Sequence, residues 1–209
     1  MNLSGTISFF KFLGNPPLGL PHATVNTFKD IPVEISKILV TAHGGKPPDI
    51  RAIVLDKDNC FAKAKENVVY KPYEDQFRLL RERFFGPRLL IVSNSAGTND
   101  DHHGKEAEIL EAATGVEVFR HSTKKPGCAI DVLNYLRSGN VPGLTRPDQI
   151  VVVGDRIFTD VIMANMMGAW SIWVKDGVTK SNGVFATLEK QLPTELTKRG
   201  YLPPKPRTV

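Results

Sequence analysis

Asp56 ends the apolar run RAIVLD (51–56), and Asp58 follows two residues on; Asp155 ends QIVVVGD (149–155), with Asp160 five residues further. Between these acids, LLIVSN (89–94) ends in Ser93 and Asn94, and VEVFRH (116–121) ends in His121 just before Lys124 and Lys125. Carboxylates, hydroxyls and a lysine closing successive apolar runs are the parts phosphoryl transfer needs, because positioning and charge neutralisation supply most of its rate. A carboxylate attacks phosphorus directly in aspartyl-phosphate enzymes, which gives Asp56 the nucleophile's role. Asp58 is placed to protonate the departing alkoxide and then to take a proton from the hydrolytic water. Mg²⁺ prefers hard oxygen ligands and keeps several waters, so Asp56, Asp155 and the backbone carbonyl of Asp58 would suffice to hold it, with Asp160 orienting a bound water. The Ser93 hydroxyl and the Asn94 N–H suit the phosphoryl oxygens, and Lys125 neutralises charge there. Taken singly, Ser93 and Asn94 could be turn residues, Asp160 a helix cap and Lys125 a surface lysine.

The β-branched runs that carry these residues alternate with helical patterns near 72–85, 104–113, 126–137 and 158–167, and WSIWVK (170–175) adds a fifth strand. Such alternation predicts βαβ units, hence an α/β three-layer sandwich around a parallel, Rossmann-like sheet. The runs are continuously apolar, as expected for strands buried on both faces. In such sheets ligands bind beyond the carboxyl ends of the strands, so the polar residues ending these runs are expected to converge on one crevice.

At 209 residues, with 41% hydrophobic content, one catalytic domain is the default. The net charge of +5 suits anionic partners without choosing among them. The two cysteines, Cys60 and Cys128, make no disulfide framework. Neither has an arginine six residues on, where thiolate phosphatases cradle phosphate; Glu66 and Asn134 stand there. His102-His103 lacks further ligands at zinc spacing. Residues 1–50 read as an N-terminal appendage outside the βα pattern, 51–200 as the catalytic domain, and 201–209 as an extended tail. Phe9, Phe10, Phe12 and Leu13, beside Lys11 in an acid-free segment, suit docking on an anionic membrane surface as well as packing on the domain. Ile31, Ile35, Ile38 and Leu39 have helical spacing and are expected in the core.

The four motifs DKD (56–58), the serine of VSN (92–94), the lysine of KKPG (124–127) and GDRIFTD (154–160) resemble those of the haloacid-dehalogenase-like phosphatases, in the right order over roughly residues 50–175. Asn59-Cys60 departs from the residues usual there, and the doubled lysine leaves Lys124 as an alternative to Lys125. More narrowly, LDKDNCF (55–61), SNSAGT (93–98), HSTKKPG (121–127) and NPPLGLPHATV (15–25) look like the fungal mitochondrial phosphatidylglycerophosphatases. That resemblance implies a Mg²⁺-dependent hydrolysis of phosphatidylglycerophosphate through an aspartyl-phosphate, peripheral to the matrix side of the mitochondrial inner membrane, in cardiolipin synthesis. A phospholipid substrate and an anionic membrane surface are the implied partners; nucleic acid is not expected, and a homo-oligomer is left open. The runner-up is a capless phosphatase for a phosphoprotein or nucleic-acid end. Within the superfamily, caps that close over small substrates are inserted after the first or third strand. Those connections are too short here for a folded domain, so an open site without a large cap is expected.

Overall fold

The structure, a computed structural model, describes residues 14–39, 46–179 and 184–209. Six parallel strands form one sheet: β1 (Ala23–Val25), β2 (Ala52–Leu55), β3 (Leu89–Ile91), β4 (Glu117–Val118), β5 (Ile150–Gly154) and β6 (Trp170–Val174). Their order is β1-β6-β5-β2-β3-β4. The α-helices of six residues or more are α1 (Glu74–Arg83), α2 (Lys105–Thr114), α3 (Ala129–Tyr135), α4 (Ile162–Met167) and α5 (Val184–Lys198). The fold is the expected α/β, Rossmann-like one.

Side chains of a strand alternate between faces, and here both faces are buried. Ile53, Leu55, Leu89 and Ile91 point into a core with Phe61, Phe77 and Leu80. Ala52, Val54, Leu90 and Val92 point into a second core with Val132, Met163 and Met167. That is why the runs read as continuously apolar. The chain turns back at β2: β3 and β4 lie on one side, β5 and β6 on the other. The crevice between the ends of β2 and β5 is therefore the switch point where an open parallel sheet binds its ligand.

Several expectations are corrected. Residues 1–50 do not stand wholly outside the βα pattern, because Ala23–Val25 pairs in parallel with Ile172–Val174 and extends the sheet by an edge strand. Three residues are too few for a periodic signal, so only the pairing reveals it. Ile31, Ile35 and Leu39 enter the first core, as their spacing suggested. The run 116–121 yields only Glu117–Val118 as strand, since β4 is an edge with one neighbour. Helix α5 was not anticipated; it contains Pro193, which obscures helical pattern in a sequence. Its Leu192 and Leu196 pack with Leu18, Leu20 and Ile162. The tail is extended but pinned: Pro204 O accepts from His22 Nε2 at 2.8 Å, and Arg207 N–H donates to Gly168 O at 2.8 Å. Phe9, Phe10, Lys11, Phe12 and Leu13 lie outside the described residues. No helix of the described residues is long and apolar enough to cross a membrane.

Candidate active site

Asp56 leaves the sheet directly after β2, its N–H donating to Val153 O of β5 at 2.8 Å, so its carboxylate faces the switch-point crevice. Across from it, Asp155 follows β5, and Asp160 returns on the turn that opens α4. One oxygen from each of these three carboxylates lies within 4.8 Å of the other two. Lys125 enters from the loop before α3 and is 2% exposed. Its Nζ donates to Asp56 Oδ1 and stands 2.7 Å from Asp160 Oδ1, an ion pair off the line of a good hydrogen bond. Asn94 Oδ1 holds the Lys125 backbone N–H at 2.7 Å. Lys124 instead reaches Asp100 on the surface, so the doubled lysine divides by geometry: Lys125 belongs to the crevice.

Asp160 is packed so closely on β5 that a Cβ on Gly154 would fall 2.3 Å from its Cγ. Only glycine at 154 admits the carboxylate there. The Arg156 N–H donates to Asp160 Oδ2 at 3.1 Å, fixing the side chain between this amide and Lys125.

Burial raises Asp56 well above the usual carboxylate range, and repulsion from Asp160 and Asp155 adds to it against the pull of Lys125. Burial, then the Asp160 charge, pushes Asp155 up to about 7. Burial alone would lower Lys125, but the charges of Asp160 and Asp56 raise it, so it stays a cation. Three carboxylates against one lysine leave two negative charges, the charge of one divalent cation. Asp155 Oδ1 is buried with no hydrogen-bond partner, and a buried acceptor left unpaired costs about 1–3 kcal/mol. An orphaned oxygen in an all-oxygen donor set with that charge deficit fits Mg²⁺. Asp56, Asp155 and Asp160 are the side chains brought together to hold it; Asp58's carboxylate is not among them.

Asp58 is tied elsewhere. Its Oδ1 accepts from Lys57 Nζ at 2.9 Å and the Lys65 N–H at 2.8 Å, and its Oδ2 from Ser95 Oγ at 2.7 Å and Ser93 Oγ at 3.4 Å. Burial would raise this carboxyl, yet the hydrogen bonds from Lys57, Lys65 and Ser95 outweigh it and hold Asp58 below its usual range. Ser93 is fully buried, whereas Ser95 and Asn94 line the cleft. The hydroxyl open to the cleft is therefore that of Ser95, two residues beyond the one selected at the strand end.

Three residues escaped the strand-end rule. Lys57 is 0% exposed and holds Asp58 while donating to Glu66 O at 3.1 Å and Asn67 Oδ1 at 3.2 Å. Asn59, at φ 60°, donates to Asp155 Oδ2 at 2.9 Å and accepts from the Thr179 N–H at 2.8 Å, joining the β2 loop to those after β5 and β6. Ser95 is the third. Their signal was adjacency to Asp56 and Ser93, and asparagine's tolerance of the left-handed region. The whole site opens as a cleft of ≈ 590 Å³.

Over residues 3–179 the chain matches the family model described as mitochondrial PGP phosphatase. It is 41% identical over 192 residues to the mitochondrial phosphatidylglycerophosphatase of Saccharomyces cerevisiae, a match spanning 92% of this chain and 97% of that protein. The probable mitochondrial phosphatidylglycerophosphatase of Schizosaccharomyces pombe is 33% identical, with 97% of each chain covered. The chloroplastic phosphatidylglycerophosphate phosphatase 1 of Chlamydomonas reinhardtii is 34% identical over 83% of this chain and 60% of its own length. A match that spans both chains almost end to end and includes every strand carrying the carboxylate cluster is one of common descent: this chain belongs to the mitochondrial PGP phosphatase family.

Proposed function

We propose that this chain hydrolyses the terminal phosphate monoester of phosphatidylglycerophosphate to phosphatidylglycerol, through a phosphoryl group carried on Asp56 and with Mg²⁺ as cofactor. One observation supports it above the others: in a chain of this family, Asp56 is held against Lys125 and beside Asp155 and Asp160 at the floor of an open cleft. A carboxylate oxygen of Asp56 attacks phosphorus, the bond from phosphorus to the glycerol oxygen breaks, and Asp58 supplies the proton that oxygen needs. Water then attacks the phosphoryl group, leaves a proton on Asp58, and frees Asp56 and inorganic phosphate. Mg²⁺, held by Asp56 and Asp155 near Asp160, would neutralise the phosphoryl oxygens during both steps. Lys125 balances the charge of Asp56, and Asn94 keeps that lysine in register. For Asp58 to donate, the Ser95 hydroxyl turns from its Oδ2 to the phosphoryl oxygens, which removes one of the three donors that hold it as an anion and leaves Oδ2 able to carry the proton.

An open cleft suits a phosphate presented by a bilayer, on the matrix face of the mitochondrial inner membrane. Phosphate release from vesicles containing phosphatidylglycerophosphate should exceed that from a phosphopeptide or a 5′-phosphorylated oligonucleotide and should stop on chelation. Preference for either soluble polymer would replace the lipid reading.

Metal binding should show in stability as well. Asp155 keeps its proton to about pH 7 in the fold against an ordinary value of 3.8, so between these the native state binds more protons than the unfolded one. Stability of the chelated protein is therefore expected to fall as pH rises from about 4 to about 7, and saturating Mg²⁺ to remove that slope. Asp155→Asn should flatten the chelated profile and raise the Mg²⁺ needed for activity by about tenfold or more. Identical melting profiles with and without Mg²⁺ would contradict this site.

Docking on the anionic bilayer is assigned to residues 1–14. One lysine contributes only about 1 kcal/mol near such a surface, so Phe9, Phe10 and Phe12 must supply most of the affinity. Their replacement by serine should reduce sedimentation with anionic liposomes and turnover of lipid phosphate while sparing a small soluble ester. Unfolding, or undiminished sedimentation, would assign them to the core or to a subunit contact instead.

A further inference from the structure

Two cations at the cleft are left unused by the chemistry above. Arg156 directly follows Asp155 after β5, and Lys175 directly follows Val174, the last residue of β6. Both are exposed, and both line the cleft that contains Asp56. Neither side chain has an ion pair or hydrogen bond among the described residues. The third basic residue of this rim, Lys190, already faces Asp176 at 3.5 Å. The acid nearest in role, Glu189, is itself engaged, accepting from the Phe158 N–H at 3.1 Å, and burial raises it above its usual range.

Register places the two together. Gly154 and Trp173 are the last pair of the two strands, so the loops that carry Arg156 and Lys175, two residues further on in each, leave neighbouring strand ends and open on the same cleft. Arg156 feels the charges of Asp155 and Glu189 but pairs with neither, so its guanidinium and the Lys175 ammonium keep their donors available to an anion held in the cleft. We propose that Arg156 and Lys175 form a subsite for a second phosphate, the phosphodiester of a substrate whose terminal phosphomonoester lies on Asp56. The subsite rests on the reading of phosphatidylglycerophosphate as substrate, since that lipid carries a diester and a monoester joined by one glycerol.

Distance supports the match. Strands stand about 4.8 Å apart and rise about 3.3 Å per residue, so the order β2-β5-β6 and the register set the backbones of Arg156 and Lys175 roughly 8 and 12 Å from that of Asp56, and both long side chains line the cleft that Asp56 faces. A three-carbon glycerol bridges such a gap; a single phosphate on Asp56 does not reach across it. The guanidinium takes two diester oxygens in a fork, and the ammonium adds a point charge. A lipid with a phosphomonoester but no diester, such as phosphatidate, leaves both cations unmatched, so the pair acts as a specificity determinant.

The same diester chemistry is offered by headgroups of neighbouring lipids, and the experiment separates the two sources. Wild type, Arg156→Gln, Lys175→Gln and the double variant are assayed on glycerophosphoglycerophosphate, which has both phosphates and no acyl chains, and on glycerol 3-phosphate, which has one. Sedimentation with phosphatidylglycerol vesicles is measured in parallel. The ratio of kcat/KM between the two soluble substrates is expected to fall about tenfold for each cation removed, mainly through KM. Sedimentation is expected to persist. An unchanged ratio overturns the subsite; an unchanged ratio with lost sedimentation assigns the cations to bilayer headgroups instead. Arg156→Lys with Lys175→Arg keeps both charges and should keep most of the ratio, so a general structural defect is distinguishable. If wild type cleaves glycerol 3-phosphate but neither glycerophosphoglycerophosphate nor its diacylated parent, the substrate reading itself fails, before any variant is compared.

Discussion

Asp56→Asn is expected to lower phosphate release by about 10⁴-fold or more, the scale of losing a covalent nucleophile. The amide is nearly isosteric and cannot attack as an anion. The same substitution is expected to leave the chelated protein at least as stable as wild type, because burial and two neighbouring acids already raise Asp56 far above its usual range. Removing that carboxylate relieves repulsion, and Lys125 keeps Asp160 as a partner. Loss of activity with a preserved or raised Tm is therefore the signature of a functional carboxylate, where a structural one would lose both. Acyl-phosphate trapped on wild type should map to Asp56; substantial turnover by folded Asp56→Asn protein would remove it as nucleophile.

Lys125→Met is expected to damage both activity and stability. The side chain is 2% exposed and lies between two buried carboxylates. Breaking a buried pair by deleting one partner costs about 3–5 kcal/mol, because the remaining charge is left uncompensated. Activity should fall about 10²–10³-fold, the range for removing one preorganised charge-stabilising donor. Thermal melts should show the deficit largest in chelator and partly restored by Mg²⁺, which shares the task of neutralising Asp56. Lys124→Met should remain near wild type in both measurements, since its partner Asp100 lies at the surface. Equal damage from the two substitutions would mean that the loop, not the Lys125 charge, is what matters.

The contrast between these two lysines shows how far the sequence carried. KKPG announced a lysine for the site but could not say which one, because adjacent residues share every local feature. The choice depends on which ammonium reaches Asp56, 69 residues earlier in the chain. Ser93 was read from its place at a strand end, while the hydroxyl open to the cleft is that of Ser95, since the strand-end position is fully buried. Asn59 was noted as a departure from a pattern; its work is a contact with Asp155, 96 residues away.

What the sequence determined by itself was the sheet, its layering and the carboxylates at its switch point. Strands buried on both faces must be continuously apolar, and an acid ending such a run is a local signal that survives without any fold in view. The tertiary structure alone decided the edge strand Ala23–Val25, the helix Val184–Lys198 with its internal proline, and the register that brings the loops carrying Arg156 and Lys175 to one cleft. Each of these depends on pairing, packing or register between segments distant in the chain, where too few residues or a helix-breaking one leave no periodicity to read.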